Sequence, residues 1–113
     1  MDRSVSSFDG ALEPLRAGMA QIVAAHAYGV ALDEIRARSR GESRTALARQ
    51  VAMYLAHVVF SMTITEVAHG FGRCRATVYH AIQHVEALRD DPELNRRLGW
   101  LEATLRGAVG QQP

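Results

Sequence analysis

From Leu12 to Leu105 the apolar residues of this chain recur at helical spacing, and no stretch alternates apolar and polar residues as a half-buried strand would. That period admits helices and little else. Leu12, Leu15, Met19, Ile22 and Val23 form a first stripe, expected to be the core face of a helix that starts at Glu13-Pro14 and stops at Gly29. Leu32 and Ile35 mark a short second helix, ending near Gly41. Leu47, Val51, Tyr54, Leu55 and Val58 mark a long third one, from about Arg44 to Phe60.

The next segment is the most informative. Thr63-Ile64-Thr65-Glu66 has the form of a capping box, in which hydroxyl and carboxylate satisfy each other's backbone donors at a helix start. The helix it opens is short and runs into Gly70-Phe71-Gly72, a tight turn. A further helix follows, with Val78, Ala81, Ile82, Val85 and Leu88 on one face and Ala76, Tyr79, His80, Gln83 and His84 on the other. Asp91-Pro92-Glu93 starts a last helix striped by Leu94, Leu98, Leu101 and Leu105. The expectation is an all-α domain of about six helices over residues 12–106, with a flexible lead-in at 1–11 and a flexible tail at 107–113. A chain of 113 residues has room for one domain of this kind.

A short helix, a glycine turn and a second helix, braced by a long preceding one, make a helix-turn-helix pattern, whose second helix enters the major groove of duplex DNA. Charge placement agrees. The net charge is only +1, and all 13 basic residues are Arg. Between Arg36 and Arg89, however, eight arginines stand against Glu42, Glu66 and Glu86, so this segment carries +5 between acidic flanks. Such a basic middle is the electrostatic footprint of a DNA-facing surface.

Two motifs resemble a known family. Arg49-Gln50-Val51-Ala52-Met53-Tyr54-Leu55-Ala56 is similar to the central helix of the C-terminal DNA-binding domain of the bacterial replication initiator DnaA. Gly72-Arg73-Cys74-Arg75-Ala76-Thr77-Val78-Tyr79-His80-Ala81 resembles that domain's signature, commonly G-R-D-H-T-T-V-L-H-A. The chain is also similar to small stand-alone DnaA-like helix-turn-helix regulators of alphaproteobacteria, gene-transfer-agent activators among them, through Phe71-Gly72-Arg73 and the downstream Asp90-Asp91-Pro92. The resemblance implies roles position by position. Arg40, in a basic loop, corresponds to an arginine that enters the minor groove. Arg49 and Gln50 correspond to residues at the duplex, Arg49 near phosphate. Arg75 and Ala76 sit where the family reads bases, Thr77 and His80 where it touches backbone or bases. Arg44, Thr65, Arg73, Cys74 and Tyr79 complete the expected DNA-contacting set. Cys74 replaces the usual Asp, and Ala76 the first Thr. Lost with them are a helix cap, an acceptor for cytosine and a hydrogen-bonding side chain, so a preference for the initiator's own recognition box is not expected.

Other chemistry finds little support. His80 and His84 lie four apart on one helix face, but structural zinc needs about four ligands, and no metal is expected. Cys74 has flanking arginines that lower a thiol's pKa, yet no catalytic architecture accompanies it. Gly70-Phe71-Gly72 lacks the G-x-x-x-x-G-K-[ST] context of a phosphate loop. No enzyme activity, cofactor or nucleotide is therefore expected. One cysteine allows no internal disulfide, no apolar run reaches the roughly 18 residues of a membrane span, and the N-terminus has no secretory build, so the expected place is the cytoplasm, at the nucleoid. Trp100 lies off the last helix's stripe. Either it packs against the first helix or, with Leu101 and Leu105, it marks a partner surface for a homodimer, a partner transcription factor or RNA polymerase. The expected function is sequence-specific binding of double-stranded DNA in transcriptional control. The alternatives are a replication-control protein competing at initiator sites and a protein–protein adaptor that has lost DNA.

Overall fold

The computed structural model describes residues 2–37, 43–108 and 110, with side chains from residue 12 onward. Six helices follow one another: α1 (Asp2–Tyr28), α2 (Leu32–Arg36), α3 (Ser43–Phe60), α4 (Ile64–Phe71), α5 (Arg75–Leu88) and α6 (Pro92–Ala108). There is no strand among the described residues. Nor is any helix long and apolar enough to cross a membrane.

The long helix α3 is the centre of the domain and touches all five others. Its residues 51–56 are buried on every side, as the unbroken run Val51-Ala52-Met53-Tyr54-Leu55-Ala56 requires of a helix with no solvent face. Against it pack Val78, Ala81, Ile82 and Val85 of α5 and Leu98, Leu101 and Leu105 of α6. These are the faces expected from the spacing.

α1 differs from expectation in two ways. It begins at Asp2, with Pro14 inside it rather than in its first turn. Its core face is also only in part the stripe of large residues, of which Met19 and Val23 pack against the core. Ala17, Ala20, Gln21, Ala24 and Ala25 are buried, whereas Leu15 and Ile22 are 58% and 54% exposed. Small side chains let this helix lie close to its neighbours. A Cβ placed on Gly70 of α4 would come within 3.0 Å of the Ala17 Cβ. The apolar count of the large stripe gave no hint that the alanine face opposite would be the one taken inside.

The chain turns are local. α1 ends in left-handed Gly29, whose N–H donates to the His26 carbonyl while Val30 N–H donates to Ala25. This is the Schellman arrangement of a glycine-stopped helix. After α3 the chain turns through Ser61, at φ 56°. The His57 Nδ1–H pins the turn by donating to the Met62 carbonyl at 2.8 Å. Asp91 starts α6 as expected, its Oδ1 accepting from Glu93 N–H at 2.9 Å.

Candidate nucleic-acid interface

The helix-turn-helix is built from caps outward. Thr63 Oγ1 accepts from Glu66 N–H at 3.1 Å, and Glu66 Oε1 accepts from Thr63 N–H at 2.9 Å, which closes the expected capping box at the start of α4. α4 stops at Gly72, φ 64°, through a second Schellman pair, Gly72 N–H to His69 and Arg73 N–H to Ala68. Only a residue that tolerates the left-handed region makes this turn without strain. Two residues later α5 begins behind Cys74, whose side chain caps no backbone N–H.

α5 buries Val78, Ala81, Ile82 and Val85 and turns its other face outward. Cys74, Arg75, Ala76, Thr77, Tyr79 and His80 are all exposed, as is Thr65 at the start of α4. No acidic residue lies in the first turn of α5, so its unsatisfied N–H groups and Arg75 present positive potential together. Arg75, Ala76 and Tyr79 form a shallow groove with Ile64 of α4. Ile64 had no place in the expected interface; its position directly after the cap residue, beside the next helix's start, was the available signal. Further along, Gln83 donates to the Tyr79 hydroxyl at 3.0 Å. The Tyr79 and His80 rings meet edge to face, 5.8 Å apart.

Cys74 Sγ lies 3.2 Å from Thr77 Oγ1. The hydrogen bond with the Thr77 hydroxyl, the largest cause, holds the exposed thiol below its ordinary pKa.

The arginines divide into two groups. Arg44 and Arg75 are exposed, and Gln50 is half-buried. Arg40 lies outside the described residues. Arg49 is a correction to the expected phosphate contact: it is 8% exposed, and its guanidinium donates to the carbonyls of Ile35 and Glu34, both at 2.8 Å. Arg73 is half-buried and donates to the Ala37 carbonyl. Together the two close off the end of α2, where carbonyls have no helical partner. Burial, and then the nearby Arg73 charge, pull the Arg49 pKa down. At the far end of α5, Arg89 donates to Asn95 Oδ1 at 2.6 Å, to the Tyr54 hydroxyl at 2.7 Å and to Glu102. Arg36, exposed, donates to the buried Gln21 at 2.8 Å.

Trp100 does not pack on α1. It is 64% exposed, beside Glu93, Arg96 and Arg97. Leu101 and Leu105 do not share its surface. They are 1% and 0% exposed, on the opposite side of α6 and inside the core, so the expected partner surface reduces to Trp100.

Comparison with known proteins agrees with this geometry. A family profile described as the bacterial dnaA protein helix-turn-helix matches residues 19–85. The chain is similar to the chromosomal replication initiator protein DnaA of Deinococcus radiodurans, 36% identical over 86 residues that cover 75% of this chain and 18% of that protein. It is likewise similar to that of Thermoanaerobacter sp. (strain X514), 30% identical over 71% of this chain and 18% of the relative. Among solved structures, a DNA replication initiation factor superposes with a TM-score of 0.82 at 29% identity, covering 91% of this chain and 32% of its own. The chain thus spans under a fifth of the length of these sequence relatives.

Proposed function

This chain belongs to the family of the bacterial DnaA helix-turn-helix, a DNA-binding domain, and from that premise we propose that it is a sequence-specific double-stranded DNA-binding protein that regulates transcription. One observation carries the reading: the first turn of α5 is exposed, free of acidic side chains and headed by Arg75. In this reading the turn enters the major groove, with Arg75 at a guanine edge or a phosphate and Ala76 against a thymine methyl. Arg44 adds a phosphate contact, and Arg40 enters the minor groove.

Cys74 and Ala76 favour targets other than the initiator's box. Neither offers the acceptor or hydroxyl that the family's usual Asp and Thr present. The test is genome-wide mapping of bound DNA in living cells. Occupancy at promoters, with little at the replication origin, is expected. Strong enrichment at initiator boxes would replace this reading with control of replication, which the relatives' own role as initiators favours. Failure to shift bulk duplex at low salt would favour an adaptor.

A further inference from the structure

Much of the exposed head of α5 is polar or cationic, through Arg75, Thr77 and His80. Within it Ala76 and Tyr79, three apart and so neighbours on one helix face, make an apolar groove with Ile64 of α4, and Arg75 completes its lining. Each member is held in place. Ile64 follows the cap residue Thr63 and packs, half-buried, against the core. Tyr79 is 50% exposed, with its hydroxyl accepting from Gln83 at 3.0 Å and its ring set edge to face against His80. In the family's signature the positions of Ala76 and Tyr79 are Thr and Leu. The first exchange removes a hydroxyl from the lining, and the second adds a ring to it.

Apolar side chains gain nothing against phosphate oxygens or against the donors and acceptors of base edges. The apolar group that the bases present in a major groove is the C5-methyl of thymine, and a cytosine methylated at C5 carries the same group. On the reading that the first turn of α5 enters the major groove, we propose that the Ile64–Ala76–Tyr79 groove receives the C5-methyl of a pyrimidine that neighbours a guanine, whose O6/N7 edge Arg75 bonds. Arg75 joins the two halves of this contact. Its stem borders the groove, while its guanidinium has the fork that matches guanine, and neighbouring bases of one strand lie about 3.4 Å apart along the duplex. Thymine is the source of the methyl rather than 5-methylcytosine. The first turn of α5 has no acidic side chain to accept from the N4–H2 donor that any cytosine would bring with it.

Duplexes selected by the full chain from a randomised library supply the probes. Each thymine is replaced in turn by deoxyuridine, which removes the methyl and nothing else, and affinities are read by fluorescence anisotropy. One thymine beside a guanine is expected to lose about fourfold as deoxyuridine, the worth of one buried methyl group. At the same position 5-methylcytosine should bind about fourfold better than cytosine, and less well than thymine. In the variants Ala76→Ser and Tyr79→Ala the ratio of thymine to deoxyuridine affinities should fall close to one. Both positions are exposed, so the far-UV spectrum and Tm are expected to stay unchanged. Equal affinity for thymine and deoxyuridine at every position would overturn the proposal, as would a ratio that survives both variants. A methyl-sensitive thymine with no guanine beside it would overturn the pairing with Arg75, and 5-methylcytosine bound above thymine would overturn the source. The base replacements leave the protein unaltered, so they decide the matter even if a variant fails to fold. Failure to bind any duplex would sink the DNA-binding reading and this proposal together, whereas duplex binding indifferent to the methyl sinks this proposal alone.

Discussion

Arg49 and Arg75 are the same residue type put to opposite uses. Arg49 gives its donors to the Glu34 and Ile35 carbonyls inside the domain. Removing such charge-assisted bonds leaves buried acceptors unpaired and costs about 2–3 kcal/mol. Arg49→Ala is therefore expected to lower Tm sharply, by calorimetry, and Arg75→Ala to leave Tm unchanged while weakening duplex binding in a gel shift. Relaxed specificity in the Arg75 variant would identify a base contact; uniform weakening would identify a phosphate contact. The sequence pattern gave both arginines an interface role, because a motif marks residue type and spacing but not which way a long side chain is drawn. The backbone carbonyls of α2 that draw Arg49 inward leave no trace in composition.

Cys74 offers a second residue-level test. As the uncapped start of α5, it gains from an acceptor: Cys74→Asp should stabilise the domain by about 1 kcal/mol in chemical denaturation. The same change sets a carboxylate against phosphates, so nonspecific duplex affinity should fall. In the unaltered chain the hydrogen bond with the Thr77 hydroxyl favours the thiolate. The pH midpoint for alkylation of Cys74 should accordingly lie below that of a cysteine in an unfolded peptide, and Thr77→Val should move it upward.

At the level of elements, the helix ends closed by local bonds were the most legible part of the sequence, although the start of α1 expected at Glu13-Pro14 lies inside the helix. Thr63 with Glu66, Gly29, Gly72 and Asp91-Pro92 all mark ends through bonds between near neighbours, and such bonds are written locally. Thr63→Ala removes one of them and should destabilise the domain by about 1 kcal/mol in chemical denaturation. The orientation of α1 was not legible. Both of its faces carry helical periodicity, and the choice between them depends on how closely α3 and α4 can approach, a property of the partners. Gly70→Ala tests that approach. Alanine is the better helix former by about 1 kcal/mol, yet its Cβ would meet Ala17 at 3.0 Å, with no flexible side chain to yield. A lower Tm is expected, and a higher one would mean that the α1–α4 contact gives way easily.

Across the whole molecule, the +5 of the central segment is not all available to DNA. Arg49, Arg73 and Arg89 hold helices together through carbonyls and polar side chains, which leaves Arg36, Arg44 and Arg75 as the exposed cations among the described residues of that segment. With Arg38 and Arg40 added, about three to five phosphate contacts follow, and the slope of log affinity against log salt should be about −2.7 to −4.5. Fluorescence anisotropy across a salt series measures it. A flat line would remove electrostatics as the source of binding.

The helix that carries Arg75 is fastened at both extremities, through Arg73 to the end of α2 and through Arg89 to Tyr54, Asn95 and Glu102. A probe mounted so rigidly cannot bend to suit an imperfect target, so the strain of fitting falls on the duplex. Steps that unstack readily, TA and CA/TG, lower that cost even where no side chain reaches them. Two sites with identical contacted bases would then differ in affinity through the pliability of the bases between, and a genomic binding motif would contain positions that the protein never touches.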